Sequence, residues 1–184
     1  MATREQIIEA ADILFYQQGF EKTSFADIAA EVQISRGNFY YHFKTKDDIL
    51  AAVIVYRLAR TQMMLDKWEA EGDKPEDRIR SFINILIMNR VKIKKYGCPV
   101  GTLCSELSKL DHSLQGEANK LFSLFRKWLR QQFKQMVATG DADALAMQVL
   151  SFSQGVATVA NTFGDEKFIR REVKRMEAWL SDLT

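Results

Sequence analysis

Apolar residues recur every three or four positions along almost the whole chain, and no stretch alternates as a strand would. Ile7, Ile8, Ala11, Leu14 and Phe15 keep the period of a first helix, and Gly19 stands where a C′ glycine ends one. Ser24 followed by Asp27 has the form of a capping box, so a second helix should open near Ser24, with Ile28, Ala29 and Val32 on one face. Ser35 is the next N-cap, ahead of a third short helix on which Phe39 and Phe43, four apart, share a face. Lys46-Asp47-Asp48 begins a long amphipathic helix reaching about Trp68, with Tyr56, Met63 and Met64 along it. The two aspartates complement the positive end of its dipole.

Residues 69–77, EAEGDKPED, form the clearest break in the pattern. Pro75 suits the first turn of a helix carrying Ile79, Phe82, Ile83, Leu86, Ile87 and Ile93 and running to Lys94-Lys95-Tyr96-Gly97. Pro99 fits the start of another. Residues from about 115 to 138 predict a strongly amphipathic helix bearing Leu121, Phe122, Phe125, Trp128, Leu129 and Phe133, ended by Gly140-Asp141. Two final helices follow, about 141–163 and 165–182. The expectation is an all-α protein of about nine helices: a three-helix N-terminal part, then a larger helical part, with no fixed-period repeat.

Residues 23–46, TSFADIAAEVQISRGNFYYHFKTK, stand apart from this pattern. Two short helices with a tight turn between them form a helix-turn-helix, whose second helix fits a DNA major groove. Phe39 and Phe43 anchor that helix to the core. A Tyr-Tyr-His run cannot all point inward on a helix, so at least one tyrosine and His42 face water. Arg36 can donate two bonds to guanine, and Asn38 can pair with a base edge or a phosphate. Gly37 lets the backbone approach the bases. Tyr40 and Tyr41 offer hydroxyls and ring edges, while His42 and Lys46 suit phosphates.

The run SRGNFYYHFKTKDDIL resembles the signature of the tetracycline-repressor (TetR) family, a close variant of Ser-x-Gly-x-x-Tyr-x-His-Phe-x-x-Lys, and is especially similar to its multidrug-sensing members. Residues 5 to 55 match that family's DNA-binding domain in length and pattern. The resemblance implies DNA contacts from Ser35, Arg36, Gly37, Asn38, Tyr40, Tyr41, His42 and Lys46, and Ser24, opening the preceding helix, joins the candidate set. It further implies a DNA-binding domain at 1–47 and a ligand-binding and dimerisation domain at 48–184. The implied function is a dimeric regulator, a repressor released from a palindromic double-stranded operator by a small molecule or electrophile.

Charge does not help this reading. The chain carries a net +2, but Arg4, Lys22, Arg36, Lys44 and Lys46 against Glu5, Glu9, Asp12, Glu21, Asp27, Glu31, Asp47 and Asp48 leave residues 1–48 at −3. That balance supports an alternative: a helical ligand-binding or protein-interaction module that has lost DNA binding. Placement argues the other way, because Arg36, Lys44 and Lys46 cluster around the second helix of the motif. Few phosphate ion pairs are then expected, with neutral donors and helix N-termini anchoring the duplex.

No apolar run approaches the ~18 residues a bilayer requires, and no signal peptide is visible, so no membrane association is expected. Two cysteines, Cys98 and Cys104, make no disulfide framework, which fits a cytoplasmic protein with reduced thiols. His42 and His112 each lack a partner at metal-ligand spacing, and no nucleotide-binding loop follows a strand, so neither enzyme, metal nor cofactor is expected. His112 beside Asp111 reads as a solvated helix end before it reads as a catalytic pair.

A ligand cavity between helices of the second part would draw on Met64, Phe82, Leu86, Leu107, Phe122, Phe125, Trp128 and Phe152, although any one of them alone is ordinary core. The last two helices carry Leu145, Val149, Phe152, Val156, Val159, Ala160 and Phe163, then Phe168, Ile169, Val173, Met176, Trp179 and Leu180. That much apolar surface suits a two-fold bundle with a second copy, as the resemblance implies, and paired recognition helices about 34 Å apart would read successive grooves. Cys98 follows Lys94 and Lys95 at a helix start, where positive potential favours a thiolate. GCPVGTLCSEL is similar to a stretch in electrophile-sensing family members, which makes Cys98 a candidate sensor thiol and Cys104 its possible resolving partner.

Overall fold

The computed structural model describes residues 4–137 and 140–183, and every regular element among them is a helix. The ten are α1 (Arg4–Gln18), α2 (Phe25–Glu31), α3 (Arg36–His42), α4 (Lys46–Glu71), α5 (Pro75–Met88), α6 (Arg90–Tyr96), α7 (Pro99–Lys109), α8 (Gln115–Met136), α9 (Ala142–Phe163) and α10 (Glu166–Ser181). The expected end of α8 at residue 138 lies outside the described residues.

The starts of these helices follow from their capping residues. Ser24 Oγ accepts the Asp27 N–H at 3.2 Å while Asp27 accepts the Ser24 N–H at 2.8 Å, a reciprocal capping box at the mouth of α2. Thr45 and Asp48 repeat it at the start of α4, with exchanged bonds of 2.9 and 3.0 Å. Asp141 and Asp165 cap α9 and α10 without a reciprocal partner, each carboxylate accepting two N–H groups of the first turn. Gly19 ends α1 at φ +92, and Gly97 ends α6 at φ 78, ψ −165.

One expected helix is two. Residues 75–96 keep a helical apolar period throughout, yet the backbone breaks at Asn89 (φ −103, ψ 9), so the chain has one helix more than the sequence pattern predicts. The Asn89 side-chain amide donates back to the Ile85 carbonyl at 2.9 Å, and the Arg90 guanidinium takes the Ile87 carbonyl at 3.0 Å. These side chains compete with the backbone for helical acceptors.

Packing divides the chain into two units. The first holds the described residues up to Arg60 with Pro99–Leu121; the second holds Thr61–Cys98 and the described residues from Phe122 onward. The core of the first is built from Ile7, Ala11, Phe15, Phe20, Ile28, Phe39 and Phe43, joined by Ile49, Leu50, Val53 and Ile54 of α4 and Leu103 and Leu107 of α7. Residue 47, the expected boundary, falls inside α4, and the first unit continues past it because the first turns of α4 and the apolar face of α7 are buried here. In the second unit α10 packs along α5, and α6 along α9. Its core includes Trp68, Ile79, Phe82, Phe125, Trp128, Leu129, Phe133, Val149, Ile169, Val173 and Leu180. Gln132, fully buried, accepts from Arg78 and donates to Glu69, both at 3.3 Å.

Candidate nucleic-acid interface

α3 is seven residues long, with one side fixed and the other open. Phe39 is 1% exposed, its ring 5.1 Å from Phe25, and Phe43 is equally sealed. Tyr41, by contrast, is 80% exposed and Tyr40 45%, the latter set edge-on to Phe25 at 5.5 Å. His42 is half-buried, its ring edge-on to Tyr41. At Gly37 a Cβ would meet nothing within 4 Å, so the backbone of the first turn is bare. Arg36 opens α3 with its backbone; its side chain lies outside the described residues.

Serines do two jobs on this surface. Ser35 Oγ accepts the Asn38 N–H at 3.3 Å, which caps α3 and leaves the hydroxyl proton able to donate to a phosphate. Ser24 Oγ–H already donates to Asp27 at 2.7 Å. Lys46 Nζ donates to the carbonyls of Phe20 (3.0 Å) and Glu21 (3.1 Å) and lies 4.3 Å from the Phe20 ring centre. Lys44 Nζ likewise turns to the Tyr40 carbonyl at 2.5 Å, at the negative end of α3.

The acidic balance of this region looks different in three dimensions. Asp12 pairs with the buried Arg57, Glu9 accepts the Tyr56 hydroxyl at 3.2 Å, and Asp47 lies 3.4 Å from His112 Nε2. Asp27 and Asp48 cap helices, and the Ser24 and Thr45 donors hold their carboxyls below the usual carboxylate range. Asp12 is thus matched by a cation, whereas Glu9, Asp27 and Asp48 accept from neutral donors and keep their negative charge. His112 is not a solvated helix end: it is 13% exposed, sits edge-on to Phe20 at 5.2 Å and accepts the Leu114 N–H at Nδ1. A groove of about 590 Å³, lined by Arg4, Ile8, His42, Phe43, Lys44, Asp48, Ala51, Ala52, Val55 and Tyr56, lies beside α3; nothing in the sequence pattern signalled it.

Seven of the candidate ligand-lining residues belong to the second unit. Phe82, Leu86, Phe125 and Trp128 are buried there, and Met64, Phe122 and Phe152 half-buried. Leu107 is not among them, because it packs in the first unit. Trp68 faces Trp128 at 5.9 Å and Phe82 faces Phe125 at 5.3 Å, while the Trp128 indole N–H is buried without a hydrogen-bond acceptor among the described residues. Cys98 is half-buried, with Gln154 Nε2 3.5 Å from its sulfur; Cys104 is 7% exposed and its thiol donates to the Ala118 carbonyl. Among the described residues no three His, Cys, Asp or Glu side chains are placed to hold a metal ion, and no helix is long and apolar enough to cross a membrane.

α10 buries Ile169, Val173, Met176 and Leu180 within its own unit, and its outward face carries Lys167, Arg170, Arg171, Lys174 and Arg175. α9 presents Met147, Ser151, Gly155, Val159 and Phe163 outward, the last 77% exposed.

Residues 7–53 match the model of the N-terminal region of bacterial regulatory proteins of the tetR family, and residues 75–175 match that of the C-terminal domain of LmrA/YxaF-like transcriptional regulators. A helix-turn-helix transcriptional regulator of Lactococcus lactis subsp. lactis, from the lacX 3′ region, is 32% identical over 127 residues, which cover 68% of this chain and 65% of that one. The regulator TtgR of Pseudomonas putida is 44% identical over 52 residues, 28% of this chain and 25% of its own. The matches thus span less than two thirds of either relative. A crystal structure of a TetR transcriptional regulator from Legionella pneumophila superposes with a TM-score of 0.84 at 25% identity, covering 99% of this chain and 97% of that one. A capped, outward-facing second helix of the helix-turn-helix and family matches over residues 7–53 and 75–175 lead to one conclusion: the chain belongs to the TetR family of bacterial regulatory proteins.

Proposed function

We propose that the protein is a sequence-specific, cytoplasmic DNA-binding transcriptional repressor, released from a palindromic operator when a small molecule or electrophile binds. Residues 1–47 read DNA and residues 48–184 bind the effector and dimerise. The observation that carries this reading is α3 itself, a helix anchored by Phe39 whose Tyr41 and Gly37 face open solvent. A module that had abandoned DNA would have no reason to keep that face bare. Ser35, Gly37, Asn38, Tyr40, Tyr41 and His42 are the proposed contacting residues with Arg36, while Ser24 and Lys46 act by holding the motif in place.

The effector site lies among Met64, Phe82, Leu86, Phe122, Phe125, Trp128 and Phe152, and the unpaired Trp128 N–H suits a ligand with a hydrogen-bond acceptor. Cys98, half-buried, is the candidate point of electrophile attack; Cys104, held by Ala118, is a packing residue. Effector binding lowers operator affinity only to the extent that it favours a conformation DNA does not. Two copies dimerise through α9, flanked by α10. The test is a gel-shift titration at fixed salt with a palindromic duplex selected from a random pool. Wild type should retard it, and Tyr41→Ala should weaken binding about tenfold or more, with the dimer intact. Unchanged affinity in Tyr41→Ala would remove α3 from the interface.

A further inference from the structure

The turn that joins α1 to the helix-turn-helix is gripped from two sides. Its two central residues, Phe20 and Glu21, have both N–H groups accepted by one side chain and both carbonyls taken by another. Glu106, on α7, receives the Phe20 N–H at Oε2 and the Glu21 N–H at Oε1, each at 2.9 Å. Lys46, on α4, donates Nζ to the Phe20 and Glu21 carbonyls. Gly19 makes room for the carboxylate: a Cβ there would lie 3.0 Å from Glu106 Oε1. Below the turn, Phe20 is 3% exposed between Phe15 and His112. Directly after it, Thr23 Oγ1 donates to the Gly19 carbonyl at 2.6 Å and Ser24 opens α2. The gripped peptide groups thus lie directly ahead of α2, whose Ile28 and Ala29 pack into the same core.

α7 is tied to α1 at its other end as well. Arg57, 9% exposed, pairs with Asp12 of α1 and donates to the Pro99 carbonyl at 2.7 Å. Leu103 and Leu107 fill the space along α7 between the two ties. A carboxylate that accepts two backbone N–H groups at once fixes direction as well as distance, because both oxygens are committed.

We propose that Glu106 is a positioning residue for operator binding: it locks the α1–α2 turn to α7, so that the recognition helix is held in its DNA-reading pose and a displacement of α7 is passed to it. This rests on the DNA-binding reading above. The experiment uses the full-length protein with Glu106→Ala and Glu106→Gln, and two independent readouts. Amide hydrogen exchange reports the clamp without DNA: Phe20 and Glu21 should be protected in wild type, exposed in Glu106→Ala and intermediate in Glu106→Gln, which keeps one acceptor oxygen. Core amides of Val53 and Ile54 should not change. Titration of duplexes selected by wild type should then show about a tenfold loss of affinity for Glu106→Ala and a smaller loss for Glu106→Gln, with dimer mass and melting temperature near wild type. Exposed Phe20 and Glu21 amides with wild-type affinity would overturn the proposal, as would unprotected amides in wild type. If Glu106→Ala fails to fold, the Gln variant decides the matter by the same two measurements. Wild type that retards no selected duplex would instead bring down the DNA-binding reading itself, and this proposal with it.

Discussion

Ser24 shows how a single hydroxyl orders its surroundings. It caps α2 and donates to Asp27, whose carboxyl is thereby held below its ordinary value. A lowered folded-state pKa contributes stability above the unfolded value of ~3.9, and that contribution is lost as pH falls through the folded value. Ser24→Ala should lower the melting temperature at pH 7, and the gap to wild type should narrow without closing as pH falls through the lowered folded value of Asp27, because the cap bond from the Asp27 N–H to Ser24 Oγ does not titrate. A gap independent of pH would mean that the Ser24–Asp27 bond contributes nothing. This site was legible in the sequence, because a capping box needs only two residues three apart. Lys46 was not. Its amine meets carbonyls twenty-five and twenty-six residues earlier, a pairing no local pattern encodes.

Among elements, nearly all starts and stops could be read from prolines, glycines and capping residues. The exception is the α5–α6 break, where Asn89 sits in an unbroken apolar period and interrupts the helix through its own side chain. Gly97 ends α6 in a backbone region open almost only to glycine (φ 78, ψ −165) and is separated from the start of α7 only by Cys98. Gly97→Ala should cost about 1–3 kcal/mol, seen as a lower urea midpoint with unchanged slope. A midpoint at the wild-type value would show that the turn relaxes at no cost. The contact of α7 with α1 was invisible in the sequence for a different reason. Glu106 and Phe20 lie 86 residues apart, and Glu106 occupies an ordinary polar position on an amphipathic helix.

At the scale of the molecule, the chain's near-neutral charge conceals an uneven surface. Asp12 is matched by Arg57, whereas the outward side of α10 carries five cations, of which Arg171 and Arg175 share the Glu172 carboxylate. Like charges facing each other across a two-fold axis would repel, so the neutral face of α9 is the better centre for an interface between copies. Phe163→Asp places a charge at its most exposed aromatic and should convert dimer to monomer, as measured by sedimentation at micromolar protein. An unchanged dimer mass would move the interface off this face. The sequence made both last helices look equally suited, because apolar content does not say which side of a helix its own unit has already covered.

The aromatic cluster has an optical corollary. The chain has three indoles, Trp68, Trp128 and Trp179, and all belong to the second unit, the first two with rings 5.9 Å apart. Emission excited at the red edge, where indole absorbs and phenol does not, therefore originates in that unit alone, and excitation passes readily between the close pair. A guest settling beside Trp128 would quench or shift that red-edge glow directly, with no dye attached, while α3, which has tyrosines but no indole, adds nothing to it.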